Sequence, residues 1–290
     1  KMASSQIFFL FSFFHSFVLI IQSSHLQASV NNEQIRVIPV PMLDDNYSYL
    51  LIDENGVCAV VDPAEPKKAL AAAEALGVEI SVVLTTHKHW DHSGGNKEMA
   101  SLIPGLTVVG GAIDMVPACT MPVEDNQSFK LGSINITCLL TPGHTKGHIT
   151  YYCVSGEAQH VFTGDVMFIG GAGKFFEGTA EDMYPSLYEK IGTLPDETVV
   201  WPGHEYTVSN LKFAARVEPE NDSILAKEKW ANEQRAEGNF TIPSTIGAEK
   251  NHNVFLRCSC MAVRSACNVE ETASMIDCLG ALRALKDKGF

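Results

Sequence analysis

Basic residues are scarce in this chain: 21 lysines and arginines stand against 34 aspartates and glutamates, a formal net charge of −13. A protein that binds nucleic-acid phosphates needs a basic face that releases counterions, so we expect no nucleic-acid partner. Charged residues make up only 19% of the chain and hydrophobic residues 46%, which excludes a disordered tail and a collagen-like fibre. The 290 residues allow one large domain, or a large and a small one.

The first thirty residues contain no acidic side chain, since the first acid is Glu33, and the first arginine is Arg36. Within this region Ile7–Ile21 is almost wholly apolar. Such a stretch forms about 22 Å of helix, less than the roughly 30 Å of a hydrocarbon core. The pattern predicts a signal-like leader over residues 1–30, with a membrane anchor as the alternative, and we exclude these residues from the fold.

Cysteine pairs with the C-x-x-C spacing are absent, although the chain has eight cysteines. Four of them lie singly in the larger part of the chain, and we interpret them as small hydrophobic residues. The other four are Cys258, Cys260, Cys267 and Cys278. Their irregular separations give little support to a zinc site.

Short apolar strands alternate with helical segments from residue 35 onward. Strands are predicted at Ile35–Val40, Tyr47–Ile52 and Val57–Val61, and a helix follows from Pro66 to Leu76. Further strands are predicted at 81–84, 106–109, 134–140, 148–154, 161–163 and 198–200, and helices at 95–102 and 181–191. Hairpins mixed with helical connections predict a layered α/β domain with mixed sheets.

The chain becomes helical and charged after His204. Helices are predicted at Leu211–Val217, Asp222–Glu237 and near Met275–Lys286, with loops around Pro243. We therefore expect a larger domain over residues 31–204 and a small helical domain over residues 205–290.

The strongest motif is Thr-His-Lys-His-Trp-Asp-His at residues 86–92, directly after a predicted strand. Three later segments repeat one arrangement, in which an apolar strand and a small-residue turn precede a polar side chain. Imidazole and carboxylate groups suit zinc, iron or manganese. Because strand ends converge at one sheet edge, we expect one cleft to collect His87, His89, Asp91, His92, His144, Asp165 and His204. The other five histidines are treated as ordinary core or surface residues.

This signature resembles that of the metallo-β-lactamase superfamily, which implies an αββα sandwich with a two-metal site at one edge. The resemblance implies that His87, His89 and His144 hold one divalent ion. By the same resemblance, Asp91, His92 and His204 hold the second ion, and Asp165 bridges the two. Zinc is the expected metal, with iron or manganese as alternatives. Asp91 would either act only as a ligand or also orient the bridging hydroxide.

Other segments are similar to the glyoxalase II (hydroxyacylglutathione hydrolase) family: Gly173–Ala180, Gly203–Thr207, Pro243–Thr245 and Asn253–Arg257. The resemblance implies hydrolysis of S-D-lactoylglutathione to D-lactate and glutathione, in methylglyoxal detoxification. It also implies that the small helical domain helps to bind glutathione. The residues expected to contact the substrate are Lys174, Phe176, Tyr206, Lys286 and Lys288. The family commonly has tyrosine at the position of Phe176, and its C-terminal basic pair is matched only loosely.

Two other functions remain as alternatives. One is a persulfide dioxygenase of the same superfamily, which uses a single iron ion and consumes oxygen. The other is a non-catalytic metal-binding protein, anchored by its leader. We expect a monomer whose partner is a small glutathione thioester. The family indicates the cytosol or the mitochondrion, whereas the leader indicates the secretory pathway or a membrane.

Overall fold

The computed structural model describes residues 30–32 and 34–289. The predicted leader lies outside the described residues, apart from its last position. Within the described part of the chain, no helix is both long enough and apolar enough to cross a membrane.

The first sheet has seven strands in chain order. Its strands are β1 (Val30–Asn32), β2 (Ile35–Met42), β3 (Asn46–Asp53), β4 (Cys58–Val61), β5 (Ile80–Leu84), β6 (Thr107–Gly111) and β7 (Met121–Val123). Strands β1 to β4 pair antiparallel, and β4 to β7 pair parallel. Gly56 closes the predicted hairpin turn between β3 and β4 with a φ of 84°. The mixed pairing confirms the prediction from the alternation of hairpins and helices.

The second sheet has six strands in the spatial order β15-β14-β11-β10-β9-β8. Its strands are β8 (Ser128–Leu131), β9 (Ile134–Leu140), β10 (Ile149–Ser155), β11 (Ala158–Gly164), β14 (Val199–Pro202) and β15 (Ser244–Thr245). Only β11 and β14 pair parallel. A separate two-stranded ribbon joins β12 (Met167–Phe168) to β13 (Gly171–Ala172).

Nine α-helices accompany the sheets within the described residues. They are α1 (Pro66–Leu76), α2 (Trp90–Ser93), α3 (Asn96–Leu102), α4 (Ala180–Tyr184), α5 (Thr207–Val217), α6 (Asp222–Ala236), α7 (Ile246–His252), α8 (Met261–Ala266) and α9 (Met275–Asp287). Helix α1 begins with Pro66 at its first turn and ends at Gly77, which has a left-handed φ of 68° and donates to the carbonyl of Ala73. These are the start and stop signals that the sequence contains.

Three apolar clusters separate four layers. The central cluster lies between the two sheets and contains large side chains such as Tyr49, Phe162 and Trp201. A second cluster packs Ala69 and Ala73 of α1 against the outer face of the first sheet. A third covers the outer face of the second sheet with residues from α4 to α9. This helix–sheet–sheet–helix order confirms the predicted αββα sandwich and its C-terminal helical region.

The structure corrects two local predictions. The single helix predicted over 181–191 is instead α4, followed by a π-helical turn at Pro185–Lys190 and a 3₁₀ turn at Ile191–Thr193. The loops predicted around Pro243 contain β15, which pairs with β14 and extends the second sheet. Periodicity missed both because a proline inside a helix shifts its hydrogen bonds and a two-residue strand has no period.

Candidate metal centre

The seven predicted ligands meet at one edge of the sandwich, beyond the carboxyl ends of four strands. The segment after β5 carries His87, His89, Asp91 and His92, and β9, β11 and β14 are followed by His144, Asp165 and His204. Gly203 allows the last segment to approach, because a Cβ there would lie 2.4 Å from Asp165 Oδ1. The same strand-end arrangement that the sequence repeats therefore converges in space.

The first group of side chains consists of His87, His89 and His144. His89 Nδ1 lies 2.9 Å from His87 Nε2 and 3.0 Å from His144 Nε2. His87 and His144 are buried, whereas His89 is partly exposed. These three nitrogens form one of the groups that could hold a metal ion.

The second group consists of Asp91, His92 and His204. The Nε2 atoms of His92 and His204 are 3.3 Å apart. Asp91 Oδ2 lies 3.6 Å from His92 Nε2 and 3.4 Å from His204 Nε2. Asn46 Nδ2 donates to Asp91 Oδ2 over 3.0 Å, which holds the carboxylate toward the histidines. This is a second potential metal-binding group.

Asp165 lies between the two groups. Its Oδ2 is 3.5 Å from His144 Nε2 and 3.4 Å from His204 Nε2, and its Oδ1 is 3.3 Å from His92 Nε2. Although burial opposes the charged form, the charge of His92 and a hydrogen bond from His204 hold the pKa of Asp165 well below its usual range. The carboxylate is therefore anionic at neutral pH.

The arrangement fits divalent cations. Two ligand atoms bound to one zinc at about 2.0–2.1 Å lie roughly 3 Å apart, which is the spacing within each group. Asp165 Oδ1 is also buried without a hydrogen-bond donor, and a cation would satisfy it. The fold and these histidine and aspartate groups support divalent metal binding.

Hydrogen bonds behind the rings determine which nitrogens face the cluster. His92 Nδ1 donates to Asp62 Oδ2 over 2.9 Å, and His204 Nδ1 donates to Asp45 Oδ1 over 2.8 Å. His144 Nδ1 donates to the carbonyl oxygen of Lys174 over 3.0 Å. The Nε2 atom of each ring is thereby directed into the cluster.

His87 is oriented through Thr86. The Thr86 hydroxyl donates to Asp62 Oδ2 over 2.7 Å and accepts from His87 Nδ1 over 3.0 Å. Asp62 thus supports a histidine in each group. Sequence reasoning missed it, although Asp62 directly follows β4 just as the ligands follow their strands.

Two more residues missed by the sequence analysis support the same edge. Asp114 accepts hydrogen bonds from Lys88 N, Thr145 Oγ1 and Gly147 N and so connects the segments before His89 and after His144. His148, treated as an ordinary histidine, is buried, and its ring stacks on His87 with centroids 5.1 Å apart. It belongs to none of the potential metal-binding groups.

The two groups differ in charge. Burial lowers the pKa of both His87 and His144, so their rings are neutral donors of lone pairs. Burial acts in the same direction on His204, but hydrogen bonds to Asp165 and Asp91 outweigh it and raise the pKa of His204 to about 10. The first group is therefore a set of neutral nitrogens, and the second is paired with carboxylates.

A cavity of about 370 Å³ opens beside the cluster, and His144 and Asp165 form part of its wall. The rest of the wall comes from two regions, the β12–β13 ribbon with the segment after it and the C-terminal helices. Those lining residues are Phe168, Ala172, Gly173, Lys174, Phe176, Tyr206, Ser209, Asn210, Arg283 and Lys286. Four of the five predicted substrate contacts are among them.

Those four side chains have distinct surroundings. The Tyr206 ring stacks on His204 with centroids 4.6 Å apart, and Lys286 Nζ donates to Asn210 Oδ1. Phe176 is 64% exposed and meets the His144 ring edge-on. The Lys174 side chain is exposed.

Lys288 is exposed at the end of α9 and is not among the cavity residues. A larger depression of about 830 Å³ contains the Glu218–Arg257 ion pair and lies apart from the ligands.

Family models match both parts of this architecture. Residues 43–118 match the metallo-beta-lactamase superfamily, and residues 205–289 match the hydroxyacylglutathione hydrolase C-terminus. The fold and the clustered ligands thus place the chain in the metallo-β-lactamase superfamily. The "hydroxyacylglutathione hydrolase cytoplasmic" of Arabidopsis thaliana is 48% identical over 258 residues, which are 88% of this chain and 99% of that protein. The chain belongs to the hydroxyacylglutathione hydrolase family.

Solved structures agree with the fold. The crystal structure of ETHE1 from Myxococcus xanthus superimposes with a TM-score of 0.58 at 25% identity, covering 88% of this chain and 99% of that chain. A metallo-beta-lactamase from Staphylococcus aureus gives a TM-score of 0.60 at 20% identity, covering 86% and 73%. The second likeness concerns the fold alone.

Proposed function

We propose that this protein hydrolyses thioesters of glutathione with 2-hydroxy acids, converting S-D-lactoylglutathione to D-lactate and glutathione. The observation that carries the proposal is the junction of two features: a cavity lined by the C-terminal helices opens directly onto the histidine and aspartate cluster. The family and the Arabidopsis relative support the same reaction.

His87, His89 and His144 would hold one divalent ion, and Asp91, His92 and His204 the other, with Asp165 between them. When bound, such ions lower the pKa of a shared water and polarise the substrate carbonyl. Zinc suits this mixture of nitrogen and oxygen ligands, and iron or manganese would also fit. Asn46 donates to Asp91 Oδ2, and Asp91 would act either as a ligand alone or also to orient the attacking water.

The leaving group explains why a thioester suits this site. A thiol has a pKa of about 8.5, so glutathione can depart as a thiolate without a dedicated proton donor. An amide would require protonation of its amine. Within the cluster, His87 and His144 are neutral and Asp165 is an anion, so they offer lone pairs and negative charge to a cation, whereas His204 would release a proton when it binds one.

Glutathione thioesters are anionic and would be repelled by a protein of net charge −13 unless local cations faced them. Lys174, Arg283 and Lys286 supply positive charge along the cavity, and Tyr206 and Phe176 add aromatic surface. Lys288 would add a more distant charge from the end of the same helix. We therefore assign metal binding to residues 31–204, and substrate binding to residues 205–290 together with Lys174 and Phe176, in a monomer.

Two observations point to different cellular compartments for this protein. The Arabidopsis relative is named as cytoplasmic, which supports the cytosol, whereas the apolar stretch at Ile7–Ile21 favours the secretory pathway. Identification of the amino terminus of the protein isolated from its source would decide between them.

The test is thiol release from S-D-lactoylglutathione by the purified, metal-replete protein. Asp165→Asn should reduce activity to background and lower the metal content, because it removes the charge shared by the two groups. Asp196→Asn, which disrupts a surface ion pair with Lys250, is the matched control and should leave both unchanged. Oxygen uptake with glutathione persulfide, without thiol release from the thioester, would instead establish the dioxygenase. Metal binding without either reaction would favour the non-catalytic protein.

A further inference from the structure

A loop without regular secondary structure forms one side of the substrate cavity. It runs over residues 173–179, between the end of β13 and the start of α4, and we name it the cavity loop. Three of its residues, Gly173, Lys174 and Phe176, line the cavity. Because loops are more mobile than the elements they connect, the positions of these side chains depend on the contacts that hold the loop.

Main-chain atoms near each end of the cavity loop are hydrogen bonded to the ligand edge. Near its start, the carbonyl oxygen of Lys174 accepts from His144 Nδ1 over 3.0 Å. Near its end, Gly178 N donates to the carbonyl oxygen of Gly143 over 3.0 Å. Both of these hydrogen bonds run to the segment after β9, which belongs to the second sheet.

The side chain of Glu177 holds the loop to segments from both sheets. Its Oε2 accepts a hydrogen bond from Lys146 N over 3.1 Å, in the segment after β9. Its Oε1 lies 2.7 Å from the Nζ atom of Lys88, in the segment after β5. Lys88 stands between His87 and His89 in the sequence. One carboxylate therefore joins the cavity loop to the segment that carries two of the first group of candidate ligands.

The Lys88–Glu177 ion pair is partly shielded from water. The Lys88 side chain is 36% exposed and that of Glu177 is 29% exposed, so solvent screens this pair less than one on an open surface. The main chain of Lys88 is held separately, because its N donates to Asp114 Oδ2 over 3.0 Å. Loss of the ammonium would therefore release the loop while the ligand segment stays in place.

We propose that Lys88 and Glu177 are positioning residues whose ion pair holds the cavity loop against the first group of ligands. Phe176 precedes Glu177 in the loop and is largely exposed, so packing alone does not fix its ring. The ring meets those of His89 and His144 edge-on, with centroids 5.9 and 5.2 Å away. The ion pair thus determines where one side of the cavity lies relative to the cluster.

Direct attraction of the substrate by Lys88 is the alternative role. A glutathione thioester is anionic, and a free ammonium near the cavity would attract it. In the structure this ammonium is paired with Glu177 at 2.7 Å. The two roles predict opposite results when the charge of Glu177 is removed. Direct attraction predicts a lower KM, because the ammonium is freed, whereas positioning predicts a higher KM, because the loop is released.

The kinetic test rests on the proposed hydrolase function and compares Lys88→Met, Glu177→Gln and the double variant in metal-replete protein. Glu177→Gln keeps an oxygen that can accept from Lys146 N. Each single substitution should raise the KM for S-D-lactoylglutathione about two- to fivefold, with kcat and metal content unchanged. The double variant should match the single ones, because each of them removes the same ion pair. Lys88→Arg keeps the charge and should retain the wild-type KM.

Hydrogen exchange supplies a measurement that does not depend on hydrolysis. In metal-replete protein without substrate, peptides covering residues 173–179 should exchange faster in Lys88→Met and Glu177→Gln than in wild type. Lys88→Arg should exchange at the wild-type rate. The matched control is Lys68→Met, since Lys68 of α1 pairs with Glu65 over 2.6 Å at comparable exposure. It should change neither the exchange of the loop nor KM.

A lower KM in Glu177→Gln would assign Lys88 to direct substrate attraction and overturn the proposal. Effects on KM that multiply in the double variant would also overturn it, as would loss of metal in either single variant. Unchanged exchange of the loop in both single variants, or the same changes in Lys68→Met, would do so too. If the wild-type protein releases no thiol from the thioester, the hydrolase function fails, and the exchange of the cavity loop alone then decides whether the ion pair holds it.

Discussion

The edge of the sandwich that carries the seven candidate ligands (the ligand edge) and the wall of the neighbouring cavity (the cavity wall) share His144 and Asp165. Their side chains are held in position in different ways. At the ligand edge, rings follow strand ends and are held by hydrogen bonds behind them, as His92 is held by the buried Asp62. In the cavity wall, side chains from α5 and α9 meet across the fold, as Lys286 meets Asn210 over 76 positions of sequence. Both regions join residues far apart in the chain, but a short pattern of strand, turn and polar residue marks each segment of the edge, whereas no local pattern marks the wall.

Because the two regions are built differently, we expect metal binding and substrate affinity to respond to different substitutions. Groups at the ligand edge have few alternative positions, because four of the five rings, those of His87, His92, His144 and His204, have a hydrogen-bond partner behind them. Two cations of the wall, Arg283 and Lys286, lie on α9, which supplies none of the seven candidate ligands. We therefore expect substitutions at the ligand edge to abolish metal binding and turnover together. Damage to the wall should change the affinity for substrate and leave the metal in place.

The largest effect among the following predictions should come from Asp62→Asn. Asp62 contacts His92 directly and His87 through Thr86, so the substitution weakens the orientation of both groups. Loss of such a supporting partner typically lowers metal affinity or activity by about 10–100-fold. Metal titration together with kcat/KM would measure this.

Asp53→Asn is the matched control for Asp62. Asp53 is equally well buried and accepts main-chain hydrogen bonds from Asn55, Val57 and Ser133, far from the cluster. Its replacement should lower thermal stability without affecting metal affinity. Equal loss of metal in both variants would show that the edge depends on general stability and not on local support.

Much of the ligand edge could be predicted from sequence alone, because a short pattern at the end of each strand marks its residues. The layered fold and the convergence of the seven candidate ligands could be predicted, because strand, small turn and polar residue recur in order along the chain, as at Asp165. Asp62 has the same placement after a strand, and wider use of that rule would have found it. Asp114 lies after β6 and several residues into a loop, where no local pattern marks it. Strand β15 is too short to show any period.

The substitution Lys286→Met tests whether the cavity wall controls substrate affinity. Loss of a hydrogen bond to a charged group typically costs about 1.5–3 kcal/mol, so we expect KM to rise roughly tenfold or more with the metal retained. Burial, assisted by the charge of Arg283, lowers the pKa of Lys286 to about 7. The lysine is therefore charged below pH 7 and neutral above it, and the wild-type KM should rise as pH increases through 7.

Lys212→Met provides the control for this pH profile, because Lys212 is an exposed residue of α5 outside the cavity. Steady-state kinetics from pH 6 to pH 8 should show the rise in KM for wild type and for Lys212→Met. The rise should be absent in Lys286→Met. If KM still rose with pH in Lys286→Met, the titration would belong to another group.

No sequence pattern places the wall residues together, because their spacing depends on how the helices pack. The prediction of Lys286 came from a resemblance between chain ends, and the same reasoning selected Lys288 two residues later. Two residues along a helix point about 200° apart, so both side chains cannot face one cavity equally. Arg283, three residues before Lys286, lies on its face of α9 and lines the cavity.

A smaller effect in the opposite direction is expected for Phe176→Tyr. The ring is largely exposed at the cavity and contacts His89 and His144 edge-on, so a hydroxyl can be added without repacking. One added hydrogen bond to the substrate is worth about 0.5–1.5 kcal/mol, which corresponds to a KM roughly two- to tenfold lower. The change should leave kcat unaltered. An unchanged KM would mean that the substrate does not reach this ring.

The smallest effect is expected for Lys288→Met. Lys288 is exposed beyond the cavity, so it acts on an anionic substrate only through solvent, where a Debye length of about 10 Å at 0.1 M salt screens the charge. We expect KM to rise less than about twofold at low salt, or about 0.4 kcal/mol, which lies toward the lower end of the roughly 0.2–1 kcal/mol that exposed charge pairs contribute. The effect of Lys288→Met on KM should vanish when salt is increased, whereas that of Lys286→Met should persist because Lys286 is only partly exposed and lines the cavity. A large, salt-resistant effect at Lys288 would mean that the end of α9 closes over the bound substrate, and the cavity wall would then have to be extended to include it.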